Sequence, residues 1–205
     1  DFESTLALLL PISISISFLQ IFYQRSSIKS LVSEYNIFCL PFLVLFLVMA
    51  IYLQDALNIR IYVSILLIIT SLIILNKDRI IRREKYLLKY RKIYLILIGS
   101  IHGFTNMGGG FLSIFSTIVN GGDKVLTRKY ISYGYFVMGV MQYTTILFIG
   151  LSNIDFTKLY YIFLALFLFF PCQKIFNKIN DQLFTKLINY FALSLGIIAL
   201  IMSLK

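Results

Sequence analysis

Long apolar runs, separated by short polar or basic gaps, constrain this chain more than any other feature. Most runs are long enough for a helix to cross about 30 Å of hydrocarbon at 1.5 Å per residue. The sixth run is shorter and ends at Pro171. We therefore expect an all-α polytopic membrane protein. The seven runs cover residues 5–23, 37–53, 59–76, 93–119, 130–151, 157–172 and 183–204.

The composition excludes several classes of protein. With 59% hydrophobic and 14% charged residues, the chain is too apolar to cover a water-facing surface. The net charge of +10 would suggest nucleic acid on a soluble protein, but here the basic residues lie in the gaps between the runs. Cys39 and Cys172 have neither metal-site spacing nor a disulfide framework. No catalytic motif or P-loop is present, so we expect no enzyme, no cofactor and no resident metal.

One basic loop sets the orientation of the chain. Residues 77–92 carry eight basic and two acidic residues, which places this loop on the cytoplasmic side. A patch that binds anionic lipid would lie on the same side. The loop separates first-half helices in 1–76 from second-half helices in 93–205. If the run 93–119 crossed once, the basic stretch 123–129 would fall outside, so we expect the glycine segment 99–117 to turn back.

The two halves resemble each other weakly. The sequence LQDALNIR at 53–60 aligns with INDQLFTK at 179–186, and an offset of 122 places Asp1 on Asp123 and Gln20 on Gln142. Combined with the charge count, this pattern predicts inverted halves, a common plan of secondary transporters. The first half then lacks a counterpart of 93–122, so we expect the chain to be truncated at its N-terminus.

The stretch HGFTNMGGGFLSIF, residues 102–115, predicts a broken helix at Gly108–Gly110. An interrupted backbone persists in a membrane only where protein buries it or where it lines a wet cavity. The helix that resumes after the glycines would present free N–H groups and a partial positive charge, which favours an anion. Thr105, Asn106 and Ser113 could add neutral hydrogen-bond donors. The alternative is that the glycines only allow close helix packing.

Other polar residues within the runs have two interpretations each. His102 could attract an anion or carry a coupling proton, or it could simply hydrogen-bond at a helix interface. Gln142 and Gln20 could contact substrate or join helices through hydrogen bonds. Ser13 and Ser17 share a helix face after Pro11 and could line a cavity or pack as small residues.

The segment GSIHGFTNMGGGFLSIFSTIV, followed by a short polar loop and an apolar helix, resembles the second-half signature of the TauE/SafE family, the sulfite and organosulfonate exporter permeases. The resemblance is specific over Gly99–Thr117 and covers the rest of the chain as architecture. The proline that the family has soon after the glycine run is replaced by Ser113 or Ser116. The resemblance implies two homologous halves and transport of small, often sulfur-containing anions.

The sequence therefore predicts a multi-pass permease of a bacterial inner membrane that moves small anions by secondary transport. Its expected partners are the anion, membrane lipid and a proton or sodium ion for coupling, with a homo-oligomer allowed and nucleic acid excluded. The alternative is a non-transporting membrane subunit or scaffold. The candidate substrate-binding residues are His102, Thr105, Asn106, Gly108, Gly109, Gly110, Ser113, Gln142 and Gln20.

Overall fold

The computed structural model describes residues 2–23, 29–54, 56, 58–76, 84–121, 123–149, 160–178 and 181–203. Every regular element in these ranges is an α-helix, so the all-α class is confirmed. The repeat pairs that involve Asp1 and Asp55 lie outside the described residues, as does the part of the basic loop at 77–83.

The helices follow the apolar runs closely. Pro171 lies inside a helix that continues to Lys178, so the expected end of the sixth run at this proline is wrong. Pro11 and Pro41 are likewise internal, as apolar helices tolerate when neighbouring groups satisfy the freed carbonyl. The helices are α1 (Phe2–Tyr23), α2 (Lys29–Leu53), α3 (Ile59–Leu75), α4 (Glu84–Lys89), α5 (Arg91–Thr105), α6 (Gly109–Val119), α7 (Lys124–Ile149), α8 (Tyr160–Lys178) and α9 (Asp181–Ser203).

The fourth apolar run folds into a helical hairpin rather than one long helix. In a continuous helix, Tyr94 and Phe115 would lie about 31 Å apart, because they are 21 residues apart in sequence. Their rings instead stack with centroids 5.8 Å apart. Helix α6 also contacts α4, which precedes α5 in the chain. Helix α6 therefore returns along α5, and both open ends of the hairpin lie near α4.

Two glycines bring α5 and α2 into backbone contact. A Cβ atom added to Gly99 would lie 2.1 Å from the Cys39 carbonyl oxygen, and one added to Gly103 would lie 2.2 Å from the Leu43 carbonyl oxygen. This is the close approach that small residues four apart permit between membrane helices. The surrounding core is apolar and includes Leu95, Ile98, Leu112, Phe115, Tyr35, Tyr130 and Met138.

The remaining helices pack in a pattern that is symmetric under exchange of the proposed halves. Helix α1 packs against α7, and α3 packs against α9. With the offset of 122 residues between the two halves of the sequence, α1 corresponds to α7 and α2 to α8. The contact between α2 and α7 then has its counterpart in the contact between α8 and α1.

One helix among the described residues, Val32–Leu53, is long and apolar enough to cross a membrane by length and composition, with 22 residues and a mean hydropathy of 2.5. Large apolar side chains also face outward: Phe148 is 91% exposed and Phe167 is 76% exposed. Multiple membrane crossings remain a prediction. Shorter apolar helices occupy Leu8–Tyr23, Ile61–Ile73, Gly109–Val119, Tyr160–Pro171 and Leu193–Ser203.

Candidate ligand-binding site at the helix break

The break between α5 and α6 lies at residues 106–108, slightly before the position expected from the glycines. Asn106 has φ 59° and ψ 17°, and its N–H donates to the His102 carbonyl at 2.7 Å. It is the only non-glycine residue with positive φ in the described part of the chain. Asparagine adopts this conformation more readily than most residues and can end a helix there. Gly108 has φ −68°, and Gly109 already belongs to α6.

Side chains close the turn of the hairpin. The Gly108 N–H donates to Nδ1 of His102 at 3.2 Å. Since Nδ1 accepts this bond, a neutral imidazole carries its hydrogen on Nε2. The Thr105 hydroxyl donates to the Ile101 carbonyl at 2.7 Å and accepts the Met107 N–H at 3.3 Å. His102 and Thr105 therefore hold the backbone of the break, a role that the sequence interpretation missed.

A small cavity adjoins the break, between α1, the end of α5 and the middle of α7. Its volume is about 60 Å³. A cavity needs about 10–15 Å³ to hold one water, so this one has room for several waters or a small polyatomic ion. Its walls are formed by Leu9, Leu10, Ser13, His102, Asn106, Tyr135, Gly139 and Gln142.

Gln142 is the most unusual residue in this wall. Its side chain is fully buried, and neither Nε2 nor Oε1 has a hydrogen-bond partner among the described residues. The His102 imidazole is close enough to act as a hydrogen-bond partner of this carboxamide, although no bond of ordinary geometry joins them. A buried polar atom without a partner costs about 1–3 kcal/mol. Both polar atoms also have almost no accessible surface, so in this structure the carboxamide is packed into the wall and not open to the cavity.

The three glycines predicted as site residues do not line the cavity; two of them lie against side chains that do. A Cβ atom on Gly109 would lie 1.5 Å from the Tyr135 hydroxyl oxygen, so the tyrosine covers this glycine directly. A Cβ atom on Gly108 would lie 2.6 Å from the His102 Cβ. Neither these two glycines nor Gly110 is among the residues that line the cavity. Side chains, not the amides of the triplet, therefore form the described wall.

The structure brings together three of the predicted site residues, His102, Asn106 and Gln142. Ser113 lies a full turn into α6, where its carbonyl accepts the Thr117 hydroxyl at 2.8 Å. Gln20 accepts a hydrogen bond from the Ser132 hydroxyl at 2.8 Å and joins α1 to α7.

Tyr135 and Gly139 were not predicted as site residues. They precede Gln142 by seven and three residues, which places all three on one face of α7. This spacing in the sequence could have indicated that Tyr135 and Gly139 share a site with Gln142. Ser13, one of the two serines after Pro11, does line the cavity, whereas Ser17 is buried elsewhere.

Among the described residues, the cavity wall has no formally charged side chain apart from the titratable His102. The cations of α7 lie far away: Arg128 precedes Gln142 by 14 residues, or about 21 Å along the helix. Arg128 donates instead to Oε1 of Gln173 on α8, and burial lowers the pKa of its guanidinium. A ligand in the cavity would therefore meet neutral hydrogen-bonding groups.

Comparison with protein-family models, curated proteins and solved structures finds no match to this chain.

Proposed function

We propose that the chain belongs to a secondary permease for small anions, of the TauE/SafE type, with sulfite or organosulfonates as the substrate class. The observation that carries this proposal is a broken helical hairpin beside a small cavity whose wall includes His102, Asn106 and Gln142. Broken helices beside a polar cavity are how membrane transporters build substrate sites near the bilayer midplane.

The path of the hairpin supports the membrane topology on which this proposal depends. Both ends of the hairpin lie near α4, so the basic stretch 123–129 returns to the side of the basic loop. Both basic regions are then cytoplasmic, in agreement with the positive-inside rule. The exchange symmetry of the helix contacts supports two related halves, of which one could rock against the other.

The chemistry of the cavity supports a small anion more than a cation. A neutral His102 carries a hydrogen on Nε2, and the Asn106 side chain has amide hydrogens. No carboxylate is among the described residues that line the cavity, so none of them would attract a cation. Neutral donors in a low-dielectric site can hold an anion without binding it too tightly for release.

The test is transport by the complete protein in liposomes with ³⁵S-labelled sulfite. We expect sulfite flux well above that of empty vesicles, and a smaller flux when excess unlabelled sulfite competes. No flux of any small anion, from protein that is inserted and folded, would contradict the proposal.

A second candidate function is a non-transporting membrane subunit, and the glycines of α5 favour it. Gly99 and Gly103 serve helix packing, as their contacts with α2 show. In such a subunit, the cavity would hold only water. Labelled sulfite separates the two functions, because a scaffold would neither bind it nor move it.

A further inference from the structure

Polar and small residues form a row along one face of α7. Arg128, Ser132, Tyr135, Gly139 and Gln142 follow one another at intervals of four and three residues, which places them on the same side of the helix. The row begins near the start of α7 and ends at the wall of the cavity. Polar side chains inside an apolar helix bundle are costly, and they often line substrate or ion pathways.

Helix α1 contains a second row with the same pattern. Ser13, Ser17 and Gln20 are also spaced four and three residues apart. Ser13 lines the cavity, and Ser17 is buried. This row therefore leads from the cavity towards the end of α1.

The two rows face each other because α1 and α7 are antiparallel. Gln20, near the end of α1, bonds to Ser132 near the start of α7. Ile14 lies earlier on α1, and a Cβ atom on Gly139 would lie 2.8 Å from its Cγ1. We call the two facing rows the α1–α7 seam. The seam consists of Ser13, Ser17 and Gln20 with Arg128, Ser132, Tyr135, Gly139 and Gln142.

A hydrogen bond crosses the seam between the cavity and the start of α7. The Ser132 hydroxyl donates to Oε1 of Gln20 at 2.8 Å, one helical turn from Tyr135 in the cavity wall. The same hydroxyl lies 2.8 Å from the Arg128 carbonyl, so it can bond within α7 when it releases Gln20. Separation of the two helices here would leave the hydroxyl satisfied. A single bond between neutral groups also contributes little net free energy, so it can break and form again during transport.

We infer that the α1–α7 seam is the path between the cytoplasm and the cavity, and that the Gln20–Ser132 hydrogen bond is the gate that closes this path. The inference rests on the proposed transport function and adds the access route and its gate to it. In the proposed topology the start of α7 is cytoplasmic, because it lies within the basic stretch 123–129. The cavity lies further along α7, so the gate separates it from the cytoplasm.

Arg128 lies at the cytoplasmic mouth of the seam, one turn before the gate. Its side chain is partly buried, and it donates to Oε1 of Gln173 on α8. Hydrogen bonds from a guanidinium to an anion are stronger than those to a neutral amide oxygen. An oxyanion that arrives from the cytoplasm can therefore replace Gln173 at Arg128. The mouth of the path would select for negative charge before the neutral cavity is reached.

The experiment measures access to the cavity from the cytoplasmic side. Ser13→Cys places a thiol in the cavity wall. Inside-out membrane vesicles that contain the protein are treated with two thiol reagents of similar size and opposite charge, sulfonatoethyl and trimethylammonioethyl methanethiosulfonate. The protein without Ser13→Cys gives the background from Cys39 and Cys172. Tyr135→Cys is a second reporter in the same wall, in case Ser13→Cys does not fold.

We expect Ser132→Ala to increase the rate of modification by the sulfonate reagent about fivefold, which corresponds to the loss of one hydrogen bond. Thr145→Val is the matched control and should leave the rate unchanged, because the Thr145 hydroxyl on α7 donates to the Met141 carbonyl of the same helix. With the gate open, the anionic reagent should react faster than the cationic one, relative to their rates with a free thiol. Arg128→Gln should abolish that preference.

Equal rates in Ser132→Ala and Thr145→Val would overturn the gate. A cavity thiol that no reagent modifies from the cytoplasm, at either reporter position, would overturn the path. An unchanged preference for the anionic reagent in Arg128→Gln would overturn the role of the mouth. Failure of the transport function alone would look different, since gated access would persist while liposomes show no sulfite flux. Flux without cytoplasmic access to the reporters would instead retain the permease and exclude the seam as its path.

Discussion

Glycines have different structural roles in two regions of the same hairpin. Gly99 and Gly103 lie on α5 where its backbone contacts the carbonyl oxygens of α2, and nothing larger than hydrogen fits there. Gly108 and Gly109 lie at the break, where they contact the side chains of His102 and Tyr135. Backbone cannot move aside without separating helices, whereas a side chain can rotate. The first pair should therefore control stability, and the second pair should control the shape of the cavity.

The largest effect is expected at the helix interface. Gly99→Val places a branched side chain against the Cys39 carbonyl and should lower the free energy of unfolding by about 3 kcal/mol. Unfolding in detergent, followed by circular dichroism, measures this change. Gly196→Ala is the control, because its Cβ would meet its nearest atoms, which belong to Ile68 and Leu67, at 3.1 Å or more. Equal losses in both variants would show that the loss at Gly99 does not come from its contact with the α2 backbone.

At the break, Gly109→Val should abolish sulfite transport and leave membrane insertion intact. The new side chain collides with the Tyr135 hydroxyl, so the tyrosine must move from its place in the cavity wall. We expect a loss of stability of about 1–2 kcal/mol, below that of Gly99→Val. Thr117→Val is a control on the same helix, since the Thr117 hydroxyl bonds to the Ser113 carbonyl away from the cavity. Normal transport by Gly109→Val would show that this region is not needed for transport.

Within the cavity, Gln142→Met should raise stability while it impairs transport. Removal of a buried amide without partners should increase the free energy of unfolding by about 1 kcal/mol. Sulfite transport should fall about tenfold, because the wall of the cavity loses its amide. Thermal unfolding and liposome flux measure the two effects on the same preparation. A loss of both stability and transport would indicate that the amide serves the fold rather than a ligand.

The smallest effect is expected at the edge of the α2–α5 interface. Arg91 donates to Glu34 at 2.6 Å, but the two side chains are 43% and 25% exposed. Ion pairs exposed to this extent contribute less than about 1 kcal/mol. Arg91→Gln should therefore change the unfolding free energy by less than that amount in the detergent assay. A loss near 3 kcal/mol would rank the ion pair with the glycines in holding α5 to α2.

The positions of the helices were predictable from the sequence because long apolar runs favour helices, which satisfy their own backbone hydrogen bonds. The three glycines correctly indicated an interruption between α5 and α6. They did not locate the left-handed residue, because Asn106 can adopt that conformation and end α5 before the glycines are reached. Their own backbone then continues as ordinary helix.

The composition of the site was harder to predict, because it depends on which faces of distant helices meet. Gln142 was recognisable as a polar residue inside an apolar run, and His102 as the sole histidine. Ser13 and Tyr135 reach the same cavity only because α1 and α7 pack against each other next to the break. Gln20 looked equivalent to Gln142, yet its partner Ser132 lies elsewhere along α7. Local pattern does not determine such contacts between helices.

The shortness of α5 has an electrical consequence. Its 15 residues extend about 22 Å, so in the proposed permease a hairpin that enters from the cytoplasm would place Asn106 about three-quarters of the way across 30 Å of hydrocarbon. An anion that reached the tip from the cytoplasm would have crossed a similar share of the transmembrane voltage. At 100 mV this amounts to about 1.7 kcal/mol for a single charge. Occupancy from the cytoplasm should therefore change more than tenfold as the membrane is polarised or depolarised, without movement of any charged side chain.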